Sequence, residues 1–293
     1  MKSKIFISLV LLMQTGWIYA QSRYSALPDV KKSNKWINAG NVRLNYYEQG
    51  SSLGIPVIFI HGYTDSKVSF EMLMRELPPT VHAYAISMRG FGDSFKPDKG
   101  YAMENFSEDL FSFMTQLNIP SAVIVGHSMG TIIAQRFALD HPEKIRALVL
   151  MNGFVSFSRS PASEELPDYI AGMKTVTREF AEEFQRSSIY RKVDSVYFEK
   201  FVDESMKVPL HVWQQTMKSI AATDFTNLIE FIHQPVLIIR GEQDQVSTKE
   251  EAELMRSSLS NAELIIYKGV GHTPHWEDPK QTAKDILRFL LEL

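Results

Sequence analysis

Ala122-Val123-Ile124-Val125-Gly126-His127-Ser128-Met129-Gly130-Thr131-Ile132-Ile133-Ala134 is the stretch on which the fold turns. A short continuous apolar run reads as a strand buried on both faces. Gly126-His127-Ser128-Met129-Gly130 then reads as a tight turn, and the apolar residues after it as a helix. A serine on such a turn is held in a strained backbone conformation above the sheet. Gly126 and Gly130 leave room for the strand and helix to cross closely. The first backbone N–H groups of the helix point toward any negative charge that develops beside the serine, and that of Met129 comes first. Ser128 is therefore the candidate nucleophile.

Other apolar runs of strand length flank this one: Pro56 to Ile60, His82 to Ile86, Ala147 to Met151, Val236 to Ile239 and Glu263 to Tyr267. Val42, Leu44 and Tyr46 alternate with polar residues, as in a half-buried strand. Helix-like segments lie between the runs: Ser69 to Leu77, Met103 to Leu117, Thr131 to Asp140, Thr248 to Leu259 and Thr282 to Leu291. Strands alternating with helices predict an α/β fold with a mostly parallel sheet covered on both faces. The alternation stops over residues 155–231, where Thr177 to Ser187 and Ser195 to Met206 have helical spacing and Pro161, Pro167 and Pro209 punctuate the chain. That segment predicts a helical cap inserted between two core parts, 21–154 and 232–293. Ser22 to Lys35 is polar and reads as a loose arm.

Residues 1–20 read as an export signal. Lys2 and Lys4 precede an apolar run from Ile5 to Met13, and Ala20 stands before Gln21 as a small residue at a cleavage point. The run is too short for a membrane span, so a periplasmic or secreted location is expected. The 293 residues are 44% hydrophobic and 22% charged, with a formal net charge of -3, which gives no electrostatic reason to expect nucleic acid. The absence of cysteine excludes disulfides, thiolate zinc sites, iron–sulfur clusters, thiol nucleophiles and a lipid-anchored lipoprotein. No metal and no organic cofactor is expected.

Four further motifs in order make the chain resemble the α/β-hydrolase superfamily from about Asn41 to Leu293. His61-Gly62-Tyr63-Thr64-Asp65-Ser66 stands where that family places its oxyanion loop, and Arg89-Gly90-Phe91-Gly92-Asp93-Ser94 matches its R-G-x-G-x-S turn. Gly241-Glu242-Gln243-Asp244 follows a strand, as the family's acid does, and Gly271-His272-Thr273-Pro274-His275 matches the loop of its histidine. The resemblance implies an eight-stranded α/β-hydrolase sheet and a triad in the order Ser128, Asp244, His272. His272 would act as base and Asp244 would hold its imidazole. The oxyanion donors would be the N–H groups of Tyr63 and Met129.

Rivals stand beside these assignments. His275, three residues after His272, is an alternative base, although Gly271-His272 fits the loop better. His127 reads as packing, His61 as structural and His141 as exposed. Some relatives carry the acid after the strand ending at Met151, but Asn152 there cannot hold the charge, and Glu242 reads as solvated. Ser87 stands where the family often has Asp, which alters a turn or hydrogen bond.

Phe154, Phe157 and Trp213 are expected to line the cleft, and Arg159, Lys174 and Arg178 to be solvated surface charge. Mostly apolar lining favours a small or medium neutral acyl compound, an ester or lactone. Carbon–carbon bond hydrolysis of the meta-cleavage type and cofactor-free haloperoxidase or perhydrolase activity are the enzymatic alternatives. A ligand receptor on the same fold is the non-enzymatic one.

Overall fold

The computed structural model describes residues 32–293, so the export signal read over 1–20 lies outside the described residues. In chain order the first elements are β1 (Ser33–Ala39), β2 (Val42–Gln49), β3 (Ile55–Ile60), α1 (Glu71–Arg75), β4 (Val81–Ser87), α2 (Met103–Gln116), β5 (Ala122–His127), α3 (Met129–Asp140) and β6 (Ile145–Met151). Four helices follow: α4 (Leu166–Gly172), α5 (Arg178–Ser187), α6 (Ser195–Met206) and α7 (Leu210–Ala222). The chain closes with β7 (Val236–Gly241), α8 (Lys249–Ser258), β8 (Ala262–Tyr267), α9 (Pro274–Glu277) and α10 (Pro279–Leu291). The eight strands form one sheet in the order β1-β2-β4-β3-β5-β6-β7-β8. β2 pairs antiparallel with β1 and β4, and every other pairing is parallel.

The continuous apolar runs follow from burial on both faces. Val57 and Phe59 of β3, with Val123 and Val125 of β5, join Leu73, Met74, Ile286 and Phe289 in one layer. The intervening Ile58, Ile60 and Ile124 join Phe106, Phe113, Ile133 and Phe137 in the other. Each strand thus needs apolar side chains at successive positions, because period-two alternation sends them into two cores. No helix among the described residues is long and apolar enough to cross a membrane.

The arm read over 22–35 needs correction, since the chain is strand from Ser33 onward. β1 is an edge strand, mostly exposed, so it carries no apolar periodicity. It is held by pairing with β2, by the Asn45 amide donating to Asn34 Oδ1 and Lys35 O (2.8 Å each), and by Arg43 lying 4.6 Å from the Trp36 ring. These are cross-strand interactions, invisible in a linear pattern.

Helices α4 to α7 lie between β6 and β7, and α5, α6 and α7 pack against the loop that follows β3. Tyr63 donates its hydroxyl to Trp213 O (2.7 Å), and Gln185 donates to Asp65. Phe201 stacks on Trp276, with centroids 3.9 Å apart. Ser87 takes part in the turn: its hydroxyl accepts the Lys67 N–H, and its carbonyl accepts Ser94 Oγ (2.6 Å). Arg89 makes a bidentate pair with Asp109, both bonds 2.6 Å, so this part of its motif anchors the core.

The turn after β5 leaves no space. A Cβ on Gly126 would sit 2.4 Å from Gly130 O, and one on Gly130 would sit 2.2 Å from Ile60 O. Gly126→Ala is therefore expected to lower unfolding free energy by about 1–3 kcal/mol in urea titrations. Gly172→Ala, where a Cβ would meet nothing within 4 Å, should leave it unchanged or raise it slightly. Equal stability of the Gly126 variant and the native protein would contradict the close crossing.

Candidate active site

Ser128 occupies the turn between β5 and α3 with φ 50° and ψ -116°, a strained conformation for a residue with a Cβ. Its N–H donates to Met151 O (3.0 Å), which fixes the turn to the end of β6. Met129 is the first residue of α3, so its N–H has no intrahelical partner. Ser128, Met129, Tyr63 and His272 all line one cavity of about 240 Å³.

Asp244 lies buried just after β7. Its Oδ1 accepts the N–H groups of Val246 (2.7 Å) and Ser247 (3.1 Å), which leaves Oδ2 facing His272 Nδ1 at 2.9 Å. A carboxylate only accepts, so Nδ1 carries the hydrogen and Nε2 is left as the basic nitrogen. The loop bearing His272 is fastened at both ends of the residue. Its N–H donates to Ser188 O (2.8 Å), and its carbonyl accepts His127 Nε2–H (2.8 Å).

The structure brings Ser128, Asp244, His272, Tyr63 and Met129 to one place, with Phe154 and Phe157 on the cavity wall. Trp213 is a correction. It is fully buried behind Tyr63, whose ring meets it edge-on at 5.2 Å, and it is not on the cavity wall. Aromatic content of the helices marks packing here as readily as lining. Arg159 pairs with Glu251, and Arg178 pairs with Glu199 and Asp203. No Lys or Arg lies among the cavity-lining residues. Among the described residues no group of three His, Asp or Glu is placed to hold a metal.

The rival histidines are all accounted for. His275 is fully buried, stacks on Phe70, and donates from Nε2 to Ser69 Oγ (2.9 Å). His61 donates from Nδ1 to Gly62 O (2.7 Å) and accepts the Met88 N–H at Nε2 (3.1 Å). His127 packs between His272 and His275, with ring centroids 5.0 and 4.4 Å away, and also reaches the cavity wall. His141 is half-buried against Phe111, a correction to the exposure expected of it. Glu242 is exposed.

Two structural features were not read from the sequence. Asn152 accepts the Gly241 N–H at Oδ1 and donates from Nδ2 to Gly271 O, 2.8 Å each, so it ties the strand before Asp244 to the loop of His272. Asp65 and Gln185 also line the cavity, 2.9 Å apart. Asp65 stood inside a quoted motif, but no spacing pointed to Gln185.

With this geometry, comparison with known proteins is direct. The model of the alpha/beta hydrolase fold family matches residues 55–228, more than half of the chain. The protein belongs to that family. A 2-(acetamidomethylene)succinate hydrolase from Mesorhizobium japonicum is 26% identical over 266 residues, which is 87% of this chain and 94% of that protein. A 2-hydroxymuconate semialdehyde hydrolase from Pseudomonas is also 26% identical, over 87% of this chain and 93% of that protein. The solved structure of an esterase from Exiguobacterium antarcticum superposes with a TM-score of 0.81, at 21% identity, over 88% of this chain and 99% of that one. At that identity the likeness speaks for the fold.

Burial governs the ionisable groups around the site. It pushes His61 down to about 4, His275 down to about 3, and His127 well below the usual histidine range. The same desolvation pushes Asp65 up to about 7, although Gln185 and Ser69 donate to it. The signs oppose. From about pH 6.5 down to 4 the unfolded chain takes protons on these histidines that the folded chain refuses, so stability falls on acidification. Over the same range folded Asp65 keeps a proton that the unfolded chain has lost, which makes that fall shallower. Asp65→Asn should therefore steepen the loss of unfolding free energy below pH 6.5, by up to about 1.4 kcal/mol per pH unit. Urea titrations at pH 4.5, 5.5 and 6.5 read the slope, and a shallower slope in the variant would contradict a buried, proton-retaining Asp65.

Proposed function

We propose that the protein is a serine hydrolase that cleaves a small to medium, largely apolar carboxylic ester or lactone. The observation that carries this reading is the convergence on one cavity of a strained Ser128 and a His272 whose Nδ1 is bound to Asp244. Ser128 Oγ attacks the carbonyl carbon while His272 Nε2 takes its proton. The tetrahedral oxyanion is held by the N–H groups of Tyr63 and Met129. Collapse breaks the acyl–oxygen bond, and His272 returns the proton to the departing alcohol. Water, deprotonated by His272, then releases the acid and regenerates Ser128. Asp244 holds the imidazole in the tautomer this requires and stabilises its cation. No metal or organic cofactor enters these steps.

The 2-(acetamidomethylene)succinate hydrolase and the 2-hydroxymuconate semialdehyde hydrolase among the relatives support a second reading, in which the same residues hydrolyse a bond other than an ester, a carbon–carbon bond included. An apolar cavity without Lys or Arg on its wall favours the ester, because a carboxylated substrate would meet no permanently charged cation there. We also propose that residues 1–20 direct export and are removed, which the mass of the secreted chain would test.

A fluorophosphonate probe should label the native protein stoichiometrically and leave Ser128→Ala unlabelled. Turnover of short p-nitrophenyl esters should fall by on the order of 10⁴–10⁶ in Ser128→Ala and His272→Ala, and by about 10⁴ in Asp244→Asn. Folded native protein that takes no label and turns over no ester would overturn the proposal.

A further inference from the structure

Asp65 is a buried carboxyl that the acyl-transfer steps leave unused, and it stands on the cavity wall. Holding it there is costly, since no Lys or Arg lines the cavity and among the described residues it makes no ion pair, so that only His272, when protonated, offsets its charge. Its partners are neutral donors: Gln185 Nε2 to Oδ1 at 2.9 Å and Ser69 Oγ to Oδ2 at 3.3 Å. Ser69 is itself braced by His275 Nε2 and Trp276 Nε1, each 2.9 Å from its hydroxyl, so the carboxyl is held in a fixed orientation from below.

The hydrogen-bond inventory then sets the ligand chemistry. The Gln185 amide nitrogen is committed to Asp65 Oδ1, Ser205 Oγ (2.8 Å) and Thr64 Oγ1 (3.3 Å). That orientation turns its oxygen away from Asp65. An ionised carboxylate has about four acceptor positions, and Asp65 uses one on each oxygen. The carbonyl of Ser188 accepts the His272 N–H and keeps a second lone pair. The polar patch on an otherwise apolar wall thus has acceptors to spare and no spare donor.

We infer that Asp65 and Gln185 form a substrate subsite that takes a hydrogen-bond donor, a hydroxyl or an ammonium, on the non-reacting part of the ester. The inference rests on the serine-hydrolase reading for its substrate and deepens it. The subsite selects against a carboxylate at the same position, which would face Asp65 with no Lys or Arg to offset it. At pH 8, above the value of about 7 to which burial raises it, Asp65 is ionised and available to accept.

The test uses esters matched in length and differing at the chain end. p-Nitrophenyl hexanoate, 6-hydroxyhexanoate, 6-aminohexanoate and adipate vary the acyl side. Hexyl, 6-hydroxyhexyl and 6-aminohexyl butyrates vary the alcohol side. In one of the two series the native protein should prefer a donor-bearing ester over its apolar parent by about tenfold or more in kcat/KM, as one hydrogen bond to a charged group implies. The hydroxyl and amino arms separate a neutral from a cationic ligand. Asp65→Asn, checked for folding by circular dichroism, should bring the preferred ratio to within about threefold of unity, with Asp65→Ser as second variant. A purely structural role would slow parent and donor-bearing esters alike and leave the ratio unmoved. A native ratio near unity in both series, or a ratio unchanged in a folded Asp65 variant, overturns the subsite. The ratio is also read as Kd by calorimetry on Ser128→Ala protein. Absence of Ser128 labelling would therefore sink the hydrolase reading while the subsite is still judged by binding.

Discussion

The close crossing of β5 and α3 is the constraint on which the rest depends. Gly126, Gly130 and the carbonyl of Ile60 are packed so tightly that no side chain fits between them. The chain can reverse from strand to helix within that space only if Ser128 takes a positive φ. Such a conformation costs on the order of 1–3 kcal/mol and persists because the sheet on one side and the helix on the other over-determine it. The consequence is positional. Ser128 stands at the ends of the central strands, beside the first free N–H of α3, where the loops after β3, β6, β7 and β8 converge.

Those loops are not positioned by the sheet alone. Asn152, which also has positive φ, spans from the Gly241 N–H to the Gly271 carbonyl. One amide side chain therefore sets the distance between the turn that carries Asp244 and the loop that carries His272. Glu277 completes the fastening: it accepts the N–H groups of Gly271, Tyr190 and Arg191, the last at 2.7 Å. The His272 loop is thus clamped to the core by Asn152 and to the segment after α5 by Glu277. Charge-assisted bonds of this kind are shorter and stronger than neutral ones. Movement of the overlying helices would be felt at His272, because Ser188 O holds its N–H.

Much of this was legible in the sequence, and the reasons differ by element. The central strands announced themselves because burial on both faces demands unbroken apolar runs, as in Pro56 to Ile60 and Ala122 to Val125. The elbow announced itself because only glycine fits its contacts. β1 did not, because an edge strand is specified by its partner's backbone and not by its own burial. Trp213 was misplaced for a related reason. A large aromatic side chain on a helix can face a cavity or fill the space behind it, and sequence does not tell these apart. Asn152 was noticed for what it lacks, a charge, whereas its structural value lies in having both a donor and an acceptor. Gln185 carried no signal, since its partners Thr64, Asp65 and Ser205 are 20 or more residues away along the chain.

The electrostatics of the cavity follow from the same packing. His61, His127 and His275 surround the site and yet bring no positive charge, because burial keeps each of them neutral. No Lys or Arg lines the cavity. A negative charge forming beside Ser128 would therefore be met by the dipoles of backbone N–H groups and by the imidazolium of His272, and by no fixed cation. Stabilisation of that kind suits a charge that appears during reaction and disappears again, since preoriented dipoles need little reorganisation. It does not suit a ligand that carries a permanent negative charge. Asp65 adds to the same bias from the opposite side: it is the one carboxyl among the cavity-lining residues, and the carboxylate of Asp244 is occupied by His272. On the proposed hydrolase reading, the packing that neutralises three histidines also biases the cavity toward ligands that arrive neutral or cationic.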